Sequence, residues 1–129
     1  MKQYALILSL SLFFIACGGN EPSTADKKEE PKTPPVTENP DYQKGLALIA
    51  KSDCFTCHKL REASTGPAYG EVAKKYDNTE ANQSMLADKV IKGGQGVWGE
   101  IPMAAHPALS KEDAIQMVKY VLLLREEKK

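Results

Sequence analysis

The stretch Cys54-Phe55-Thr56-Cys57-His58 decides how this chain is interpreted. It places two thiols three residues apart and a histidine directly after the second thiol. A porphyrin fixes where two thioether sulfurs and one ligating nitrogen must lie, and this spacing meets that requirement. The motif therefore predicts one covalently attached haem (heme c), bound through Cys54 and Cys57, with His58 as an axial ligand of its iron.

Three other chemistries use a CxxC pair. A structural zinc site needs four ligands, and the only histidine besides His58 is His106, about fifty residues further along the chain. A thioredoxin-like redox pair follows a β-strand in an alternating β/α pattern, and the sequence shows no such pattern. A simple disulfide would leave His58 without a role. Haem attachment is favoured over all three.

Met103 is the predicted second axial ligand. It follows a glycine-rich loop, 45 residues beyond His58, where the chain can fold back across the other face of the haem. A thioether is a soft ligand that favours ferrous iron. Met85 and Met117 fall on apolar helix faces and are predicted core residues, while His106 is a rival ligand that we interpret as a surface residue. An iron with two protein ligands has no open site for a substrate, which predicts an electron carrier and not an enzyme.

The apolar periodicity predicts an all-α fold of about four to five short helices, because no stretch alternates like a strand. Helices are expected after an Asn39 cap, over residues 68–76, from a Thr79 cap to Lys92, and after a Ser110 cap, with a loop over residues 93–99. The predicted inward stripes are Tyr42, Leu46, Ile49 and Ala50 on the first helix, Met85, Leu86, Val90 and Ile91 on the third, and Ala114, Met117, Val118, Val121, Leu122 and Leu124 on the last.

The N-terminus predicts export. Lys2 precedes a short apolar run over residues 5–16, which is typical of a secretory signal peptide. The run ends at Ala16-Cys17, similar to a lipoprotein processing site, although Phe14 stands where leucine is usual. Residues 1–16 are thus predicted to be a lipoprotein-type signal peptide, with Cys17 lipidated and the protein held at the membrane, facing the periplasm. A plain secretory signal with a stray thiol is the alternative.

Composition separates a linker from a domain. Residues 18–40 hold five of the eight prolines among polar and charged side chains, so residues 17–40 are predicted to be the lipidated cysteine followed by a disordered linker. Residues 41–129 are predicted to be the folded domain. The 17 basic and 17 acidic side chains cancel, which argues against nucleic acid as a partner. The protein is expected to be monomeric.

The domain resembles the small bacterial class I (monohaem) cytochromes c over residues 41–126. The resemblance rests on four ordered pieces: Cys54-Phe55-Thr56-Cys57-His58, Gly66-Pro67-Ala68-Tyr69, Gly96-Val97-Trp98-Gly99 and Ile101-Pro102-Met103. It implies a cytochrome c fold in which the N- and C-terminal helices cross, with Gly45 allowing close approach near Tyr120. It also implies that the Pro67 carbonyl accepts a hydrogen bond from the His58 ring, and that Trp98 lies near a haem propionate.

The function expected from the motif and the resemblance is electron transfer. The iron, ligated by His58 and Met103, would shuttle single electrons between membrane-associated respiratory partners, with apolar residues such as Val97 around the exposed haem edge. Redox proteins are therefore the expected partners. The alternative is a haem-based peroxidase-like enzyme or gas sensor with an open distal site.

Overall fold

A computed structural model of the chain describes residues 35–125. The predicted signal peptide, the lipidation at Cys17 and most of the predicted linker lie outside these residues. Within them the chain forms four α-helices and two short strands: α1 (Pro40–Lys51), α2 (Tyr69–Lys75), α3 (Glu80–Lys92), β1 (Gly94–Gly96), β2 (Gly99–Met103) and α4 (Lys111–Leu123). Two 3-10 turns, Val36–Glu38 and Cys54–Thr56, precede and follow α1.

Side-chain caps start three of the four helices at the predicted positions. The capping oxygens belong to Asn39, Thr79 and Ser110, and they accept hydrogen bonds from main-chain N–H groups two or three residues later at 2.8, 3.3 and 3.0 Å. Each cap satisfies an N–H group that the first helical turn leaves without a partner. Helix α2 is one residue shorter at each end than predicted, because Ala68 and Tyr76 have extended backbones.

Helices α1 and α4 cross with their backbones in close approach. A Cβ atom added at Gly45 would overlap the Tyr120 side chain and lie 2.5 Å from the Gln116 carbonyl oxygen, so only glycine fits there. Beside the crossing, the Gln116 amide donates to the main-chain carbonyl and to the carboxylate of Asp41, at 3.0 and 3.1 Å. The predicted close approach of these two helices is confirmed.

Helix α4 is the centre of the core. All six apolar residues predicted to face inward from the last helix are buried, together with Tyr120 and Leu123. One part of the core joins α4 to Ile49 of α1 and to α2, and a second part joins it to Ala87 of α3. Full burial of one such aliphatic side chain contributes roughly 1.5–3 kcal/mol, so α4 fixes where the other three helices lie.

Two expected inward residues are exposed. Ala50 lies on the outer side of α1, and Met85 is 37 % exposed on α3. Both residues sit at the margin of their predicted stripes, where one position along a helix turns the side chain by about 100°. The predictions for these two residues were wrong, whereas Ile49 is buried and Tyr42 and Leu46 are partly buried.

A small antiparallel hairpin replaces the loop expected over residues 93–99. Strands β1 and β2 pair with Gly94 opposite Met103 and Gly96 opposite Gly99. Strand alternation was absent from the sequence because β1 is mostly glycine and the hairpin is largely exposed, so neither of its faces is marked by apolar residues. The all-α prediction is confirmed apart from this hairpin. No helix in residues 35–125 is both long and apolar enough to cross a bilayer.

Candidate functional site

The CxxCH segment begins with a sharp turn directly after α1. Asp53 adopts a left-handed conformation (φ 55°), which a short polar side chain tolerates better than most. The 3-10 turn that follows is closed by the main-chain N–H groups of Cys57 and His58, which both donate to the Cys54 carbonyl at 3.3 and 3.0 Å. This turn carries both cysteines and places the histidine at its end.

The His58 ring is held by a main-chain carbonyl. Its Nδ1 atom lies 2.8 Å from the carbonyl oxygen of Pro67. A carbonyl oxygen only accepts hydrogen bonds, so Nδ1 must donate and Nε2 carries the lone pair of the neutral ring. The structure therefore contains the contact expected between Pro67 and His58, and it leaves Nε2 as the nitrogen able to bind iron.

Gly66 packs directly against the same ring. A Cβ atom at this position would lie 2.5 Å from Cε1 and 2.8 Å from Nδ1 of His58, closer than non-bonded carbon atoms can come. The Gly66 N–H donates to the Cys57 carbonyl at 2.9 Å, and the Tyr69 N–H donates to the Lys59 carbonyl at 2.9 Å. These bonds hold residues 66–69 beside the CxxCH turn.

Tyr69 is a residue of the site that the sequence analysis did not single out. Its ring stacks on the His58 ring with 5.1 Å between centroids and 15° between planes, and Cys54 packs against the core cluster to which Tyr69 belongs. Burial is the largest cause that raises the pKa of the Tyr69 hydroxyl far above its usual range, and the neighbouring Cys54 raises it further, so the hydroxyl stays protonated. Tyr69 ends the Gly66-Pro67-Ala68-Tyr69 piece, which was the available signal.

The two cysteines are free thiols with different surroundings. Cys57 is exposed and Cys54 is half-buried. Burial raises the pKa of the Cys54 thiol, so it is protonated at neutral pH. Among residues 35–125, no group of three or more His, Cys, Asp or Glu side chains is placed to hold a metal ion. The disulfide and zinc interpretations therefore gain no support from the structure.

Met103 and Trp98 lie on the hairpin, apart from the CxxCH turn. Met103 is the last residue of β2 and is half-buried; its carbonyl lies against Gly93, which ends α3 with φ 77°. Trp98 is 44 % exposed at the hairpin turn, with the Lys75 ammonium 5.6 Å from its ring centroid. In the described part of the chain, no hydrogen bond or ring contact joins the hairpin to His58.

His106 follows the hairpin and is anchored by its main chain. Its N–H is shared between the carbonyl oxygens of Val90 and Ile91, at 3.2 and 3.1 Å. This bond fastens the chain after β2 to the last turn of α3. The side chain of His106 is half-buried.

The residues present fit a covalently attached haem. They supply an imidazole with one nitrogen available and the other bonded to a carbonyl, two unpaired thiols at the CxxC spacing, and a thioether on a separate element. This donor set and the glycine packed against the imidazole define the class of the protein as that of the c-type cytochromes.

Comparison with known proteins gives the family. The model of the cytochrome c family matches residues 42–125 of this chain. The chain is 44 % identical over 85 residues to cytochrome c2 of Rhodocyclus tenuis, covering 62 % of this chain and 91 % of that protein. It is 38 % identical over 87 residues to cytochrome c-551 of Allochromatium vinosum, and the match covers 67 % of this chain and 93 % of that protein. The crystal structure of wild-type Nitrosomonas europaea cytochrome c552 superposes with a TM-score of 0.58 at 34 % identity, covering 62 % of this chain and 99 % of that one.

The chain belongs to the cytochrome c family, in its class I monohaem branch. It is an electron-transfer protein with one covalently bound haem c. The predicted cofactor and the predicted fold are thereby confirmed. The comparisons give no support to the enzyme or gas-sensor alternative.

Proposed function

We propose that this cytochrome is an exported, lipid-anchored electron carrier whose haem is attached through Cys54 and Cys57, with His58 and Met103 as the axial ligands of the iron. The observation that carries the proposal is the 2.8 Å hydrogen bond between His58 Nδ1 and the Pro67 carbonyl. That bond fixes the tautomer in which Nε2 is the free donor atom. When bound, the haem iron accepts and releases single electrons.

The protein's own residues set the character of the ligands. The Pro67 carbonyl orients the imidazole and increases its basicity by accepting the Nδ1 proton. Met103 supplies a soft sulfur that favours ferrous iron and raises the reduction potential relative to a second imidazole. With both axial positions filled, the protein offers no position for a substrate, which agrees with electron transfer and not with oxygen or peroxide chemistry.

We assign Trp98 to the haem surroundings through its indole N–H, which is a donor without acceptor capacity and suits a carboxylate such as a haem propionate. Its partial exposure and the neighbouring Lys75 ammonium both favour an anionic neighbour. Val97 (53 % exposed) and Ile101 (63 % exposed) lie on the same hairpin and provide apolar surface for brief contact with a redox protein. The carrier acts as a monomer in this proposal.

Absorption spectra of the purified holoprotein test the ligand assignment. The reduced pyridine haemochrome should have the α band of a haem with two thioether bonds, and the ferric protein should show the weak far-red band of methionine ligation. Met103→Ala should lose the far-red band, lower the potential and bind carbon monoxide when reduced. Met85→Ala is the matched control because Met85 is exposed on α3, and it should keep the band.

Two results would contradict the ligand assignment. Retention of the far-red band by Met103→Ala would exclude this residue as the ligand. Rapid carbon monoxide binding by the reduced wild-type protein would instead favour the alternative with an open distal site, a sensor or peroxidase-like enzyme.

The proposed anchor is Cys17, followed by a linker to residue 40 and the haem domain from residue 41. Support comes from the short apolar run before Cys17 and from the cysteine count, because two of the three thiols are assigned to haem. Several acyl chains on one residue make anchoring stable, whereas one chain binds only marginally. Bacterial members of this family are typically exported to the periplasm, which agrees with a secretory signal.

Cell fractionation tests the anchor. Cys17→Ser should move the haem protein from the membrane fraction to the soluble fraction while leaving its visible spectrum unchanged. Wild-type protein that is already soluble after export would support the plain secretory signal instead.

A further inference from the structure

Three tyrosine rings lead from His58 to the edge of the α1–α4 crossing. The Tyr69 ring lies against His58, and Tyr120 of α4 lies against Tyr69. Tyr42 of α1 lies against Tyr120. We propose that these three tyrosines form an electron route, the tyrosine relay, through which the Tyr42 phenol supplies an electron to a haem that hydrogen peroxide has oxidised. This inference rests on the proposed function, because it assigns His58 to the iron.

Each ring of the tyrosine relay is in contact with the next. The centroid of the Tyr69 ring lies 5.1 Å from that of His58 and 6.5 Å from that of Tyr120. The centroids of the Tyr120 and Tyr42 rings are 4.8 Å apart. All three distances lie in the range of roughly 4.5–7 Å that aromatic pairs in contact adopt. Because the probability that an electron crosses a gap falls steeply with the width of the gap, short successive transfers are faster than one long transfer.

The burial of the three phenols decides which of them remains oxidised. A phenol gives up an electron readily only when it also releases its proton to an acceptor such as water. Tyr120 is 1 % exposed and Tyr69 is 6 % exposed, and burial raises the pKa of the Tyr69 hydroxyl far above its usual range. Tyr42 lies in the first turn of α1 and is only partly buried. Tyr42 is therefore the end of the relay, and the two inner rings pass the electron on.

The electrons and protons balance with hydrogen peroxide as the oxidant of the reduced protein. Reduction of peroxide to two water molecules breaks the O–O bond and consumes two electrons and two protons. The ferrous iron supplies one electron and becomes ferric. Tyr42 supplies the other electron together with its phenolic proton and becomes a neutral phenoxyl radical, and solvent supplies the second proton. Peroxide reaches the iron only when Met103 has left it, so the relay protects the haem and takes no part in ordinary electron carriage.

Phenylalanine variants of the holoprotein test the relay, because a benzene ring keeps the packing but is much harder to oxidise than a phenol. Tyr42→Phe removes the end of the relay, and Tyr120→Phe removes its middle. Tyr76→Phe is the matched control: Tyr76 is also half-buried, and no ring contact leading to His58 in residues 35–125 includes it. The reduced protein is mixed with one equivalent of hydrogen peroxide and frozen for electron paramagnetic resonance. A parallel sample contains a nitroso spin trap, and mass spectrometry locates the trapped residue.

The wild-type protein should give a tyrosyl radical signal, with the spin trap attached to Tyr42. Tyr42→Phe should lose this adduct and most of the radical signal. Tyr120→Phe should reduce the Tyr42 adduct severalfold, because the electron must then cross the longer gap between Tyr42 and Tyr69. Both variants should also bleach faster in excess peroxide, since the haem stays oxidised for longer. Tyr76→Phe should match the wild-type protein in the signal, the adduct and the rate of bleaching.

The inference is overturned if the wild-type holoprotein gives no tyrosyl signal, or if the trap attaches to Tyr76 or Trp98 in place of Tyr42. An undiminished Tyr42 adduct in Tyr120→Phe would overturn it as well. Should Tyr120→Phe fail to bind haem, Tyr69→Phe interrupts the same route and decides the matter by the same adduct. The absorption spectrum before peroxide is added separates the two proposals, because a protein without covalent haem would overturn the proposed function itself.

Discussion

The two parts of the chain that are proposed to supply the axial ligands differ in how firmly the protein holds them. In the proximal segment (residues 52–70) the chain is bonded to itself across the loop: the N–H groups of Gly66, Tyr69 and Gly70 each donate to a carbonyl of residues 57–60 at 2.9 Å. In the hairpin segment (residues 93–106) the strands are short and mostly exposed, and three glycines adopt positive φ. His58 and Met103 are both half-buried, but the His58 ring is in addition hydrogen-bonded to the Pro67 carbonyl and stacked on Tyr69.

This difference assigns different tasks to the two segments. The polypeptide alone orients His58, so that ligand geometry is set before any partner or redox change acts on it. The hairpin has few buried apolar contacts and many exposed backbone bonds, which are the marks of a segment that opens locally at low cost. We therefore expect loss of native structure to begin at Met103 and to reach His58 last.

Denaturation should separate the two segments. In guanidinium titrations of the ferric holoprotein, the far-red methionine band should disappear at a lower concentration than the helical circular dichroism. Local openings range in free energy from about zero to the global value, and the hairpin should lie near the lower end. Coincident loss of both signals would show that the two segments form one cooperative unit and would break the comparison.

The same substitution placed in each segment should have unequal effects. Gly66→Ala puts a Cβ atom 2.5 Å from the His58 ring, and the ring can yield only by breaking its bond to Pro67 or its stack on Tyr69. Overpacking of this kind costs about 1–3 kcal/mol. We expect a lower yield of haem-loaded protein, together with shifted His58 NMR resonances.

Gly96→Ala is the matched control in the hairpin segment. A Cβ atom there meets nothing within 4 Å, but the backbone has φ 94°. The substitution should cost about 1–2 kcal/mol through backbone strain alone and leave the His58 resonances unchanged. Equal displacement of His58 by both variants would contradict the division.

The sequence predicted most of the helical framework and the covalently bound haem because those features have local signatures. The caps at Asn39, Thr79 and Ser110 depend on single side chains, and a helix period of 3.6 residues shows directly in the apolar pattern of α4. The CxxCH spacing is equally local. Each of these signals lies within a few residues, so no knowledge of the tertiary structure was needed to read it.

Features that depend on contacts between distant segments were not visible in the sequence. The hairpin has no alternating pattern because its strands bury no face, and Tyr69 looks like any aromatic residue until α2 is packed beside the CxxCH turn. Gly45 and Pro67 were anticipated only through the family resemblance. The role of Gly45 depends on Tyr120, which is distant in the sequence, and the role of Pro67 depends on His58, which lies across a loop.

Removing Lys75 of α2 should weaken the hairpin by a smaller amount, because the Lys75 ammonium lies 5.6 Å from the centroid of the Trp98 ring. A cation–π contact at an exposed site contributes about 0.5–1 kcal/mol. Lys75→Ala should therefore lower the denaturant concentration at which the methionine band disappears, while the helical signal is nearly unchanged. Lys74→Ala, which removes the adjacent exposed lysine of α2, should leave the band where it is. Equal shifts in both variants would point to a general charge effect.

The smallest expected effect is a change in the pH dependence of stability, caused by the contacts of Asp41 where α1 meets α4. The side-chain amide of Gln116 lowers the pKa of Asp41 below its ordinary value of 3.8, outweighing partial desolvation, and Lys119 at 3.3 Å adds to the effect. A carboxyl group with a lowered folded-state pKa stabilises the fold fully above its unfolded value, and this contribution disappears as the pH falls through the folded value. Because Asp41 and Lys119 are partly exposed, their interaction contributes at most about 1 kcal/mol to stability.

Asp41→Asn should flatten the dependence of the unfolding free energy on pH below about 4 without moving the His58 resonances. A steeper acid dependence in the variant would show that Asp41 is not one of the carboxylates that must be protonated when the helices separate.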